Sequence, residues 1–142
     1  MQDGEWFPWS SDVMFRIRPS NSPVVKQDLR SRLAKLTTDE KNQYRRYAKR
    51  VRKSLGEVPD DELATRLAVS VMADSTVCDW LGITSGGEPA PYNSAEMFEA
   101  MMQNETLRDW VSEKADALSQ VIGEYQADSE GNSEGTESGT AG

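Results

Sequence analysis

The run Val13-Met14-Phe15-Arg16-Ile17-Arg18 alternates apolar and polar positions, with Val13, Phe15 and Ile17 on one side and Met14, Arg16 and Arg18 on the other. That is the period of a strand with one buried face. Ahead of it, Glu5-Trp6-Phe7-Pro8-Trp9 is set apart by Ser10-Ser11-Asp12, a cluster with turn chemistry. The two runs are therefore expected to pair as a short β-hairpin within residues 1–20, with Pro8 confining the first strand to an edge. Trp6, Phe7 and Trp9 cannot all point inward from so short a strand. They either cap the rest of the molecule or wait for a partner, since exposed aromatic clusters mark binding surfaces.

From residue 21 the period becomes helical. Pro23 suits a first turn behind Asn21 and Ser22, and Val25, Leu29, Leu33 and Leu36 recur at steps of four, four and three. A second helix opens at Thr37-Thr38-Asp39-Glu40, with Thr37 or Thr38 as N-cap, and carries Tyr44, Tyr47, Ala48, Val51 and Leu55 before Gly56 stops it. A third starts at Pro59-Asp60-Asp61-Glu62, with Leu63, Leu67 and Val71 widened by Ala64, Ala68 and Met72. A helix apolar on so many sides is expected to be the central one. It is expected to run to Leu81, with Trp80 closing it and Gly82 in the left-handed capping position.

Gly86-Gly87 reads as a turn, and Asn93-Ser94-Ala95-Glu96 as a capping box for a short helix bearing Met97, Phe98, Met101 and Met102. After Asn104-Glu105, a last helix carries Leu107, Trp110, Val111, Leu118, Val121, Ile122 and Tyr125 at helical spacing. Beyond Gln126 the chain is mostly Gly, Ser, Thr and acids, with too little to bury to offset its ordering entropy. The expected fold class is mainly α: a small helical domain of about five helices over 21–126, a short N-terminal β-hairpin over 1–20 and a disordered acidic tail over 127–142.

Composition narrows the function more than the fold. With 37% apolar residues in 142, the core is expected to be modest and the surface highly charged. Residues 1–53 hold 13 of the 16 Lys and Arg against six acids, a net +7, while residues 54–142 hold three against 18, a net −15. Such a dipole favours self-association and opposite-charge partners, and weakens with salt. Without histidine, Ser-His and Cys-His nucleophile pairs and histidine-containing zinc sites are excluded. The lone cysteine, Cys78, excludes an internal disulfide and reads as a small buried hydrophobe. Acidic pairs such as Asp60-Asp61 lack a matching ligand set, so no metal, cofactor or catalytic residue is assigned and an enzyme is not expected. No apolar run approaches the ~18 residues needed to span a bilayer, so no membrane partner is expected and the protein should remain in a reduced cytoplasm.

Two features bear on partners. The basic run from Lys41 to Lys53, with Arg45, Arg46 and Arg50, could neutralise phosphates and stack bases on its tyrosines. The acidity of the whole chain argues against nucleic acid, and the same stripe could receive the acidic half of another copy or an acidic client segment. Met97, Met101 and Met102 crowd one short helix, where thioethers serve either as core filler or as an adaptable apolar surface.

The pattern Trp80-Leu81-Gly82-Ile83, then Gly87, then Pro91-Tyr92-Asn93, and then Leu107-Arg108-Asp109-Trp110-Val111 with Ala115, resembles the tail assembly chaperones of long-tailed bacteriophages. Phe15-Arg16-Ile17-Arg18-Pro19 looks like that family's early strand. The resemblance implies a small, mostly helical protein of the host cytoplasm, absent from the finished particle. Such proteins coat the tape measure protein, keep it soluble and help recruit tail-tube subunits. Together with the aromatic, basic and methionine-rich patches above, it makes Trp6, Phe7, Trp9, Arg45, Arg46, Arg50, Trp80, Tyr92, Met97 and Met101 the candidates for partner binding, and the charge dipole makes a homo-oligomer a further expectation. Two alternatives stay open: a nucleic-acid-binding regulator using the basic helix 39–55, and a structural head-tail component of the virion.

Overall fold

A computed structural model describes residues 4–53 and 61–134, and its architecture is a three-stranded antiparallel sheet laid against five helices. The hairpin forms as the alternation predicts, from β1 (Glu5–Pro8) and β2 (Met14–Ile17). The Ser10 hydroxyl oxygen accepts from the backbone amides of Asp12 and Val13, which fixes the turn. Phe15 and Ile17 are buried, and β1, with Pro8 at its end, is an edge strand.

Helix α1 (Pro23–Ala34) is capped by Ser22, whose side chain accepts from the Val25 amide. Helix α2 (Thr38–Lys53) opens on a reciprocal capping box: Glu40 N–H donates to Thr37 Oγ1 at 3.2 Å, and Thr37 N–H donates to Glu40 Oε1 at 2.9 Å. The stop predicted at Gly56 lies outside the described residues. Helix α3 (Glu62–Val71) takes its N-cap from Asp61, which accepts from Ala64 N–H at 2.9 Å. It buries Ala64, Leu67, Val69 and Val71, while Ala68 and Arg66 remain exposed, so its neighbours cover only part of it.

The expectation that α3 continues to Leu81 is wrong. The helix ends at Val71, a single π-helical turn follows over Met72–Thr76, and the chain then extends as β3 (Val77–Leu81), the third strand of the sheet. Ile17 pairs with Val77 but Arg16 pairs with Asp79, so Cys78 is the extra residue of a bulge. The bulge turns both Val77 and Trp80 toward the core. Buried Val69, Ala73, Val77 and Trp80 thus recur at steps of four, four and three, a helical spacing produced by a helix, a π turn and a bulged strand in succession.

A second, very short hairpin joins β4 (Thr84–Ser85) to β5 (Glu88–Pro89) across Gly86-Gly87. Both glycines have positive φ, as a two-residue turn matched to strand twist requires. Helix α4 (Ser94–Gln103) is capped by Asn93, and α5 (Glu105–Glu134) by Asn104, whose Oδ1 accepts from Leu107 N–H. Helix α5 continues past the boundary expected near Gln126. The remainder of the tail assigned as disordered, residues 135–142, lies outside the described residues. The core gathers Phe15 and Ile17 of β2, Val77 and Trp80 of β3, Val69 and Ala73, Met97 and Met101 of α4, and Leu107, Val111 and Ala115 of α5.

Candidate functional site

The joint around Trp80 is a set of tethers. A π turn leaves carbonyls without the usual partner four residues on, and here those of Ala73, Ser75 and Thr76 are taken up from elsewhere. Tyr92 Oη donates to Ala73 O, Arg18 Nη1 donates to Ser75 O at 2.6 Å, and Arg18 N–H donates to Thr76 O at 2.8 Å. Ser75 Oγ donates to Asp28 of α1 at 2.6 Å, and Arg32 bridges Asp28 to Asp74. Trp80 packs edge-on against Tyr92 with ring centroids 4.9 Å apart, and its Nε1–H donates to Ala90 O at 2.9 Å. Gly82 follows with φ +89°, where an added Cβ would overlap the Asp12 carbonyl oxygen of the first hairpin's turn. The left-handed conformation expected of Gly82 is present, but it serves a close strand-to-turn approach and caps no helix.

These contacts decide which candidate residues can meet a partner. Trp80, Met97 and Met101 are buried at 6%, 1% and 0% exposure, so in this conformation they hold the core together and present nothing outward. Tyr92 is half-buried and committed to Trp80 and Ala73. Phe7 and Trp9 lean on Trp110 of α5, with centroids 6.5 and 5.1 Å away, and Phe15 reaches the same ring at 6.2 Å. Trp6 is exposed. Arg45, Arg46 and Arg50 are exposed along α2. Trp110 was absent from the candidates, although one indole on a helix facing an unusually aromatic hairpin was a signal that they meet. Cys78 is half-buried on β3 and not in a helix, with burial pushing its thiol up, away from thiolate character.

Two open grooves flank α2. The first, about 770 Å³, runs between α1 and α2 and is lined by Arg30, Lys41, Arg45, Arg46 and Lys49 over a floor of Leu33, Ala34, Tyr44 and Ala48. Among the described residues no carboxylate lines it and no ion pair engages those cations. The second, about 450 Å³, lies between α1, α2, α3 and α5. Its walls are mainly apolar, with Val25, Leu29, Tyr47, Leu67, Ala68 and Met72, and Arg108, Asp109 and Asp116 also line it. The sequence carries no signal for this groove, because an apolar helix face reads the same whether its neighbours close on it or leave a gap. The described side chains of α2 include none that is fully buried. Among the described residues no group of three or more His, Cys, Asp or Glu is placed to hold a metal ion, and no helix is long and apolar enough to cross a membrane.

Tyr92 gives the joint a pH signature. Burial, then the Asp74 carboxylate, then Cys78 hold its phenol well above the ordinary value of 10. A group whose folded pKa is raised keeps its proton longer in the folded state. Its contribution is therefore intact below pH 10 and lost progressively as pH rises beyond that. Unfolding midpoints measured from pH 8 to 11.5 should fall above pH 10, and Tyr92→Phe should flatten that fall while leaving a residue from Tyr44, which burial also raises. An equally steep fall in Tyr92→Phe would contradict the assignment.

The family model described as YdaY prophage protein matches residues 27–132, from the first turns of α1 through most of α5 and well over half of the chain. The aromatic hairpin lies outside the matched range. No curated protein and no solved structure shows a significant match. The chain is thus phage-associated, and it belongs to the YdaY prophage protein family.

Proposed function

We propose that this prophage protein is a tail assembly chaperone that binds and solubilises the tape measure protein and helps recruit tail-tube subunits, working in the host cytoplasm and left out of the finished virion. The observation that carries this reading is the apolar groove between α1, α2, α3 and α5. It opens to solvent, with aliphatic and aromatic side chains on its walls and both signs of charge among its lining residues. An amphipathic helix binds such a groove by laying its i, i+3, i+4, i+7 side chains along the floor, and a coiled-coil-prone client offers that stripe on every heptad. Most residues that carry the family resemblance hold the core and its joints, and Ala115 also lines the groove. Trp80, Gly82, Tyr92 and Asn93 fix the sheet and α4 in place, and Leu107, Val111 and Ala115 anchor α5.

Client binding in this account does not use Met97, Met101 or Trp80 directly; exposed Trp6 and the charges of α2 lie at the surface for secondary contacts. Co-expression with the tape measure protein of the same genome tests the proposal. Ala68→Glu is the informative variant: Ala68 is exposed and lines the groove, so a carboxylate there should change stability by no more than about 0.5 kcal/mol while blocking an apolar client. A tape measure protein equally soluble with and without this chain ends the proposal.

A second reading is favoured by one observation, the acid-free basic lining of the α1–α2 groove. A nucleic-acid-binding regulator using that face would be retained on DNA or RNA with a steep salt slope. A structural role in the virion would place the chain in purified particles, where mass spectrometry would find it.

A further inference from the structure

The groove between α1 and α2 has a natural occupant within the same sequence. Among the described residues it is lined by five cations and no carboxylate, and Lys41, Arg45 and Lys49 follow one another at four-residue steps, about 6 Å apart along α2. From Ala115 to Gly142 the chain carries six carboxylates and no Lys or Arg. Within the helical run of α5, Glu124 and Asp128, and then Glu130 and Glu134, repeat the same four-residue step.

We propose that the α1–α2 groove of one copy receives the acidic end of α5, residues 124–134, of a second copy, so that the chain self-associates head to tail. Each copy then offers one groove and one acidic segment. Such an interface is heterologous and propagates, closing into a ring or extending as a filament according to the rotation between neighbours. It leaves the apolar groove on the other side of α2 free, and it does not depend on any client. Exposed ion pairs are individually weak, so several must act together and the association must be salt-sensitive.

Sedimentation of the full chain at rising concentration, in low and in high salt, tests this together with two charge-reversed full chains. One carries Arg45→Glu with Arg46→Glu; the other carries Asp128→Lys, Glu130→Lys and Glu134→Lys. Wild type should associate with concentration at low salt and dissociate at high salt. Each variant alone should associate more weakly by about tenfold or more, with unchanged thermal midpoint. An equimolar mixture of the two variants should recover association, because each then offers the charge the other lacks. A wild type monomeric at all concentrations and salts overturns the proposal, as does a mixture that fails to recover. A salt response independent of concentration also overturns it, by placing the contact within one chain.

Discussion

Replacing Gly82 by alanine is expected to cost about 3 kcal/mol of folding stability, more than any other single methyl group added to the described glycines. Two effects combine at this position. Its φ of +89° is one that an L side chain rarely adopts, and the added Cβ would run into the Asp12 carbonyl oxygen, backbone that cannot swing aside. Gly86 separates the two effects. Its φ is +60° but nothing lies within 4 Å of an added Cβ, so Gly86→Ala should cost only about 1 kcal/mol. Denaturant midpoints of both variants measure the difference. Equal losses would mean that the Asp12 approach is not what Gly82 is needed for.

Trp80→Ala is expected to cost about 3–5 kcal/mol, the range for deleting a large buried aromatic. The indole is 6% exposed, stacks edge-on with Tyr92 and donates to Ala90 O, so its loss opens a cavity and frees both the Tyr92 ring and a carbonyl. Trp80→Phe should lose less, because an aromatic ring still fills the site while the hydrogen bond does not form. Trp6→Ala is the contrast. That side chain is exposed on the edge strand, and its removal should move stability by no more than about 0.5 kcal/mol. If Trp80→Ala unfolded at the wild-type midpoint but lost a partner, Trp80 would be a contact residue and the burial argument would fail.

Much of the fold was legible because local chemistry declares itself. The alternation around Phe15, the Ser10 turn, the helix starts near Pro23 and Asp61, the cap at Thr37, one of two threonines offered for it, the cap at Asn93 and the Gly86-Gly87 turn each need only a few neighbouring residues, and each forms close to where the sequence places it. The joint was not legible for the opposite reason. Val69, Ala73, Val77 and Trp80 keep a helical spacing across a π turn and a bulge, and both irregularities depend on partners remote in sequence. Arg18 and Tyr92 take the freed carbonyls, and β2 supplies the register. The same remoteness hid the clasp of Phe7, Trp9 and Phe15 on Trp110, which ties a hairpin outside the family match to a helix inside it.

The candidate site divides along the same line. The basic stripe of α2 was readable from charge alone, and it stands exposed where charge predicted. Methionines at Met97 and Met101 carried two readings, and burial selects core filler over client surface. The apolar groove had no signature of its own. It arises because helix faces that look complete in sequence leave Leu29 and Tyr47 only partly covered where α1, α2, α3 and α5 meet.

Chaperoning by contact is the claim on which the functional account rests, and the amount of tape measure protein held in solution measures it most directly. Soluble and pelleted tape measure protein would be quantified after co-expression with wild type, with Ala68→Glu and with an empty vector. Wild type should move most of the client into the soluble fraction and co-purify with it, while Ala68→Glu, itself soluble and folded, should resemble the empty vector. A client distributed identically in all three would contradict it.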